Sequence, residues 1–521
     1  MSNKWTENQR KAVDARGMQV LVSAAAGSGK TTVLTERVKN ILCDTENPCK
    51  VSELLVVTFT RAAATEMRDR IQNALREAVK SDKANSDYLR RQMILMPTAD
   101  ICTIDSFCAK IVRENFSLAG VGVDFKILDE KDIAEMTDEA LKSVIDGLYE
   151  ENDEAFKALT TMFLSERDDK LLGDVIKTLN NYSRSYPSPE NWLKNISESF
   201  NPAKAPGETV WADVVYKFVG MFADFHYKRL MRCVALMEES GGFSPDYLLR
   251  FTATAERINA LKTSADNKNW DAMVAVIRDG LIEKIAARNT KVDEKLKKLT
   301  QDVFAELEDD AAGLVKRTLP TSAEHKADCE RLYPIVKKLC ETVTRLTEDL
   351  DSRKNEKNSY GFDDILHKCI DLLVEFNGDS WSPTAIAKKL REKYKEILID
   401  EYQDTNEAQN IIFEVLSQDC KNLYCVGDVK QSIYRFRLAS PELFMNLRRN
   451  LPDYDGELHP SQITLDKNFR SRKGIDEAVN FVFSRLMSEQ VGEIDYNERE
   501  ALSFGADYYP EKNTPDTELV C

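Results

Sequence analysis

The stretch Ala24-Ala25-Ala26-Gly27-Ser28-Gly29-Lys30-Thr31-Thr32 runs a loop of small residues into a lysine and two hydroxyls. Residues without bulky side chains let backbone N–H groups curl around an anion, and a helix starting at the end of the loop adds the positive end of its dipole. One small residue, four positions, then Gly-Lys-Thr is the spacing of a loop that cradles the phosphates of a nucleoside triphosphate. In such a loop Lys30 reaches the β- and γ-phosphates and Thr31 holds magnesium. The first position is Ala24, not glycine. The plain alternative is a strand-to-helix turn that merely packs tightly. Lysine and threonine in register behind an apolar run favour the phosphate loop.

Two adjacent carboxylates offer the other half of such a site. Glu396-Ile397-Leu398-Ile399 reads as a strand delivering Asp400 and Glu401 at its C-terminal end. A phosphate-loop fold places a magnesium ligand and a water-orienting base there. A solvated turn is the competing reading, and the upstream loop favours chemistry. Gln431, just past the run Leu423–Val426, is placed to sense a γ-phosphate. Tyr434 and Phe436 alternate with Arg435 and Arg437, which suits stacking on bases and contact with a single-strand backbone. In Thr58-Phe59-Thr60 a second apolar run opens into a helix, and Phe59 either stacks on a base or plugs the core. Ser106 sits at the tip of a third such passage, Ile101 to Cys108. Lys467-Asn468-Phe469-Arg470-Ser471 is a further basic-aromatic cluster. Thr6 and Gln9 have capping-box spacing, although a glutamine amide also matches an adenine edge.

These residues need buried parallel strands to carry them, and the sequence supplies short apolar runs at Val20–Val22, Leu54–Val57, Ile101, Ile397–Ile399, Leu423–Val426 and Ile463–Leu465. Between Lys131 and Ser359 the strand signals fade and helical periodicity dominates. Leu332, Val336, Leu339, Val343, Leu346 and Leu350 form a coiled-coil-like seam. Ile285, Val292, Leu296, Leu299, Val303 and Leu307 suggest its antiparallel partner, with Pro334 starting or kinking the second helix. Lys284, Arg288, Lys291, Lys295, Lys297 and Lys298 read as a solvated face, or else as contacts to a duplex backbone. The net charge of −16 over 521 residues argues mildly against a surface that grips nucleic acid everywhere, not against a local groove. Eleven scattered cysteines and four separated histidines give no support for a disulfide framework or a zinc site. A polar N-terminus and the lack of a membrane-length apolar run predict a soluble, cytoplasmic protein.

Taken together and in this order, the stretches resemble superfamily 1 DNA helicases of the UvrD/Rep class, over Trp5 to about Ser471. Within that class the likeness is greatest to the A-type subunits of AddAB helicase-nucleases. It rests on Trp5-Thr6 through Gln9, on Val22 to Thr31, and on Val426-Gly427-Asp428-Val429-Lys430-Gln431-Ser432-Ile433-Tyr434-Arg435-Phe436-Arg437-Leu438-Ala439. The resemblance implies a RecA-like α/β phosphate-loop core split by a large helical insertion. The implied divisions are 1–125 and 360–455 for the motor core, 126–359 for the insertion and 456–521 for the start of a second motor domain. It implies ATP and Mg2+ as cofactors. Gln9 and Phe469 would hold adenine, the loop from Ala24 to Thr32 the phosphates, and Thr31 and Asp400 the metal. Lys30, Asp400, Glu401, Gln431 and Arg470 would carry hydrolysis, and Thr58, Phe59, Thr60, Ser106, Tyr434, Phe436 and Arg437 would carry DNA. The implied function is 3′→5′ translocation and unwinding in double-strand-break repair, in a heterodimer with an AddB-type partner. The rivals are a stand-alone UvrD-type repair helicase and a non-motor nucleotide-binding or docking fragment. Thr32 stands where relatives often place arginine, and Arg61-Ala62 replaces the commoner Asn-Lys. The two later helicase motifs and a nuclease domain are not found after Arg470, so the expectation is the N-terminal part of a longer protein, one that binds ATP weakly and does not unwind DNA by itself.

Overall fold

A computed structural model describes residues 5–81, 85–163, 170–285, 292–378, 380–492 and 494–509. Its organising element is a six-stranded parallel sheet. The strands are β1 (Val20–Ala24), β2 (Leu54–Thr58), β3 (Asp100–Thr103), β4 (Glu396–Ile399), β5 (Leu423–Gly427) and β6 (Ser461–Leu465). In space they run β6-β1-β5-β4-β2-β3. Register is continuous: Val20 faces Ser461 on one side and Tyr424 on the other, Ile397 faces Leu423, and Leu54 faces Glu396. Strands buried on both faces need apolar residues of both parities, and these have them. Leu21, Leu55, Val57, Ile397 and Ile399 point into one core. Val20, Val22, Leu54, Val56 and Leu398 point into the other.

Helices cover both faces. They include α1 (Glu7–Asp14), α2 (Lys30–Cys43), α3 (Arg61–Ser81), α4 (Ile104–Glu114), α5 (Phe362–Leu373), α6 (Glu407–Leu416) and α7 (Pro441–Asn450), whereas α8 (Lys473–Leu486) follows β6 and packs beside Ser503–Phe504. Their starts follow local chemistry. Thr6 caps α1 in a full capping box with Gln9, and Thr103 caps α4 by accepting from the Ser106 N–H. Because every strand is parallel, six loops emerge along one C-terminal edge, the usual place for ligands in such sheets.

The chain divides into two compact units, one of residues 1–143, 177–189 and 346–521, the other of 144–176 and 190–345. The expected insertion of 126–359 is therefore too generous, because 126–143, 177–189 and 346–359 group with the sheet. Still, Lys126–Ile127 pairs in parallel with Ser359–Tyr360, so the two ends of the expected insertion meet within the first unit. Close by, the Asp364 carboxylate accepts from Arg184 at 2.8 Å, from Lys354 at 2.9 Å and from the Gly361 N–H at 2.8 Å. His367 Nε2 meets the Arg184 carbonyl at 2.9 Å.

The expected start of a second domain at 456 also moves. Ser461–Leu465 is the edge strand of the first sheet, since its apolar residues complete the core beside β1. After it, Lys467–Asn468 pairs with Ser503–Phe504. The second unit is helical, and the expected two-helix arm is replaced by a broader packing. Glu294–Lys316 buries Val303, Phe304, Leu307, Ala311 and Leu314 among Ala212–Ser240, Pro245–Asp266 and Trp270–Asp279. Leu299 of the expected seam is exposed, whereas Leu339, Val343, Leu346 and Leu350 are buried outside that cluster. Three neighbouring helices offer Glu294–Lys316 a wider apolar face than one seam does. Pro334 lies inside the helix Ser322–Lys357 and does not start it. Arg288 and Lys291 lie outside the described residues.

Candidate functional site

Sheet order sorts the loops. Those after β6, β1, β5 and β4 adjoin one another, and those after β4, β2 and β3 follow. Around the first group lies a cavity of about 570 Å3 lined by Ala26 to Thr32, Arg70, Glu401, Gln431, Phe469, Arg470, Tyr508 and Tyr509. Gly27 and Gly29 take φ of 72° and 87°, a left-handed path that side chains resist, and the loop turns there into α2. The first N–H groups of α2 have no partner within the helix and face the loop's end. Ser28 Oγ is buried without a hydrogen-bond partner. Ala24 and Ala25 do not line the cavity. Ala24 ends β1, and the Ala25 N–H is committed to the Leu465 carbonyl at 3.0 Å, so these two support the loop from beneath.

Lys30 donates to Glu401 Oε2 at 2.8 Å. Gln403 donates to the same oxygen at 2.9 Å. Glu401 itself has φ 52°, an unusual strained conformation for a glutamate, in the sharp turn after β4. Burial, then the neighbouring Glu401, pushes the Asp400 carboxyl up to about 6. The same causes push Asp404 up to about 6. One lysine thus faces three crowded carboxylates, a surplus of negative charge that suits a divalent cation. No three His, Cys, Asp or Glu side chains converge as a metal cage among the described residues. A hydroxyl and one carboxylate, completed by phosphate and water oxygens, is the usual magnesium arrangement in nucleotide sites. The residues present fit Mg-ATP.

Gln9 serves its cap and the loop at once. Its Oε1 accepts from the Thr6 N–H at 3.0 Å and its Nε2 donates to the Ser28 carbonyl at 3.1 Å. It is buried and does not line the cavity, so α1 braces the loop. Phe469 and Arg470 arrive beside the loop because the Phe469 N–H donates to the Gly27 carbonyl at 2.9 Å. Thr32 is exposed on the rim.

The second group of loops, joined by the segment after β5 that carries Tyr434 and Arg437, surrounds a cavity of about 240 Å3, whose lining also includes Thr58, Phe59, Thr60, Asp105, Glu401 and Asp404. Phe59 is not a core plug. Its ring lies 4.6 Å from that of Tyr434, which lies 5.8 Å from that of Phe436. Phe436 is 75% exposed and Ile433 69%. The Arg437 guanidinium covers the Tyr434 ring at 5.4 Å. Thr58 is buried and its hydroxyl donates to the Thr60 carbonyl. The Ser106 hydroxyl is engaged by Thr103 at 2.9 Å. Both hydroxyls help to shape the loops that carry them. Thr60 is exposed but accepts from the Ala63 N–H, as a cap of α3. Sequence reasoning missed Arg70, Gln403, Asp404, Tyr508 and Tyr509. Only Gln403 and Asp404, adjoining the paired carboxylates, carried a signal.

Residues 5–452 match the UvrD/REP helicase N-terminal domain family. Among curated proteins, the ATP-dependent helicase/nuclease A subunit of Clostridium botulinum is 34% identical, over 98% of this chain and 42% of its own length. The like-named protein of Anoxybacillus flavithermus is 36% identical over 98% of this chain and 43% of its own. That of Acetivibrio thermocellus is 35% identical over 96% and 41%. The chain spans about two fifths of the length of these relatives.

Proposed function

The chain belongs to the UvrD/Rep helicase family, and from that membership we propose that its sheet is the ATP-hydrolysing core of a motor that moves 3′→5′ along one DNA strand and separates the duplex. Its setting is double-strand-break repair and recombination, in the manner of the helicase/nuclease A subunits, with an AddB-type partner. The observation that carries this reading is that Glu401 lines both cavities. One carboxylate stands between the phosphate loop and the aromatic face, so a change at either is felt by the same side chain.

Bound Mg-ATP supplies the γ-phosphoryl group and the metal charge that steadies its transfer to water. Lys30 and the loop N–H groups bind the phosphates, Thr31 and Asp400 would hold the metal, and Gln431 and Arg470 face the γ-phosphate. Phe469 would cover the base. In the structure Lys30 neutralises Glu401. A triphosphate in the loop competes for that ammonium, and Glu401 is then released to orient water. Phe59, Tyr434 and Phe436 stack bases, and Arg437 contacts the strand.

Three motors or modules are separated by two measurements. ATP turnover with and without single-stranded DNA tests the motor core. Nucleotide binding with no DNA response would favour a docking module. Co-purification with an AddB protein distinguishes the two-subunit reading from a stand-alone repair helicase. No helix among the described residues is long and apolar enough to cross a membrane, which is compatible with a cytoplasmic enzyme.

A further inference from the structure

A line of buried polar groups leads away from Glu401 to a residue far from it in sequence. Gln403, which donates to Glu401, accepts through Oε1 from the Asp428 N–H at 3.0 Å. Asp428 is 1% exposed, and its Oδ2 accepts from Gln431 Nε2 at 2.7 Å. Its Oδ1 takes the Lys430 ammonium at 2.9 Å. Lys430 in turn meets Glu500 Oε2 at 2.7 Å, and the other oxygen of Glu500 is paired with Arg448. Glu500 is 4% exposed. A carboxylate so buried is costly unless it is paired, and here both oxygens have a cation.

The segment carrying Glu500 is itself fixed beside the nucleotide cavity. The Leu502 N–H and carbonyl bond the Asn480 amide at 2.9 Å each, anchoring the turn on α8. Ser503–Phe504 then pairs with Lys467–Asn468, next to Phe469 and Arg470. Lysine is a flexible point charge, so something must aim it. Glu500 does so, and the ammonium holds the Asp428 carboxylate where it can grip the Gln431 amide.

We infer that Glu500 is a positioning residue for the γ-phosphate sensor, acting through Lys430 and Asp428 on Gln431. This rests on the reading of Gln431 as the group that faces the γ-phosphate. Glu500 touches neither nucleotide nor metal, and its expected effect is on discrimination between nucleotides with and without a γ-phosphate.

The experiment measures the affinity of the whole chain for fluorescent AMP-PNP and ADP, each with magnesium, together with the melting temperature. Glu500→Gln should lower the AMP-PNP to ADP affinity ratio about three- to tenfold, the worth of one loosened hydrogen bond. ADP affinity should change less than twofold. Lys430→Met should do the same, and it carries the test if Glu500→Gln unfolds, because Glu500 then keeps Arg448. In a Gln431→Ala background neither change should lower the ratio further. A purely structural role would lower the melting temperature and weaken both nucleotides equally, which would overturn the inference. So would effects that add to Gln431→Ala. If Gln431→Ala itself leaves the ratio unchanged, the γ-phosphate reading of Gln431 falls and takes this inference with it. If Gln431→Ala lowers the ratio while the other two variants do not, the inference falls alone.

Discussion

Lys30 answers to two anions, the Glu401 carboxylate now holding it at 2.8 Å and the phosphates expected in the loop. Lys30→Ala removes a charge-assisted contact worth about 1.5–3 kcal/mol, so nucleotide affinity measured by titration should fall by at least tenfold. The melting temperature should hold, because the ammonium sits at the cavity and not in either core. Glu401→Gln should act oppositely on binding: with its carboxylate partner gone, Lys30 is free for phosphate, so ATP binds as well or better while turnover is lost. Normal turnover in that variant would assign the base elsewhere. That Lys30, Asp400 and Glu401 would come together was legible in the sequence, because a phosphate-loop spacing and paired carboxylates at strand ends belong at one edge of a parallel sheet. Gln9 was half legible, since the capping-box spacing was real and the loop contact to Ser28 was not visible from spacing. Arg70, Tyr508 and Tyr509 were illegible, because they reach the cavity through tertiary folding and follow no pattern in the chain.

At the scale of elements, the end of β5 shows how closely that strand approaches the turn after β4. A Cβ at Gly427 would lie 2.3 Å from Gln403 Oε1 and 3.0 Å from Phe444. Gly427→Ala should therefore displace Gln403 and lower stability by about 1–3 kcal/mol, read from denaturant unfolding. Beyond β5, Phe436 projects outward. Phe436→Ala should weaken single-strand binding by about 1–3 kcal/mol with little dependence on base sequence. Because the ring is 75% exposed, the melting temperature should not follow. The α5 helix supplies a pH dependence. Burial, with Arg184 adding to it, lowers the His367 imidazole to about 4, below its usual value near 6.5. The unfolded chain thus binds the proton more readily. This contribution is complete above about pH 6.5 and is lost as pH falls toward 4. Between pH 7 and pH 5 it should cost about 2 kcal/mol of unfolding free energy, and His367→Gln should remove that part of the slope. The strands and their helices were legible from apolar runs and caps. The pairing of long helices was not, because an apolar seam states that a helix is buried and leaves its partner unnamed.

For the whole molecule, a net charge of −16 and a strand face with few cations make a specific electrostatic prediction. Arg61, Arg435 and Arg437 are the exposed basic residues of the loops that form the aromatic face. Three phosphate contacts give a plot of log affinity for single-stranded DNA against log salt a slope of about −2. A slope near −5 would mean that a second basic surface takes part. The sheet order has a consequence for how the polypeptide is made. Its first three strands are not all neighbours: β1 lies between β6 and β5, and β2 and β3 wait on the far side of β4. About 290 residues separate the end of β3 from the start of β4. At roughly 5–20 residues per second, a ribosome takes on the order of 15 to 60 seconds to deliver the missing centre. Through that interval an emerging chain carries one lone strand and one two-stranded fragment, mostly apolar and open-edged, while the helical unit is completed first. Ribosome profiling with chaperone capture should find holdase bound from the emergence of β3 until β5 clears the exit tunnel.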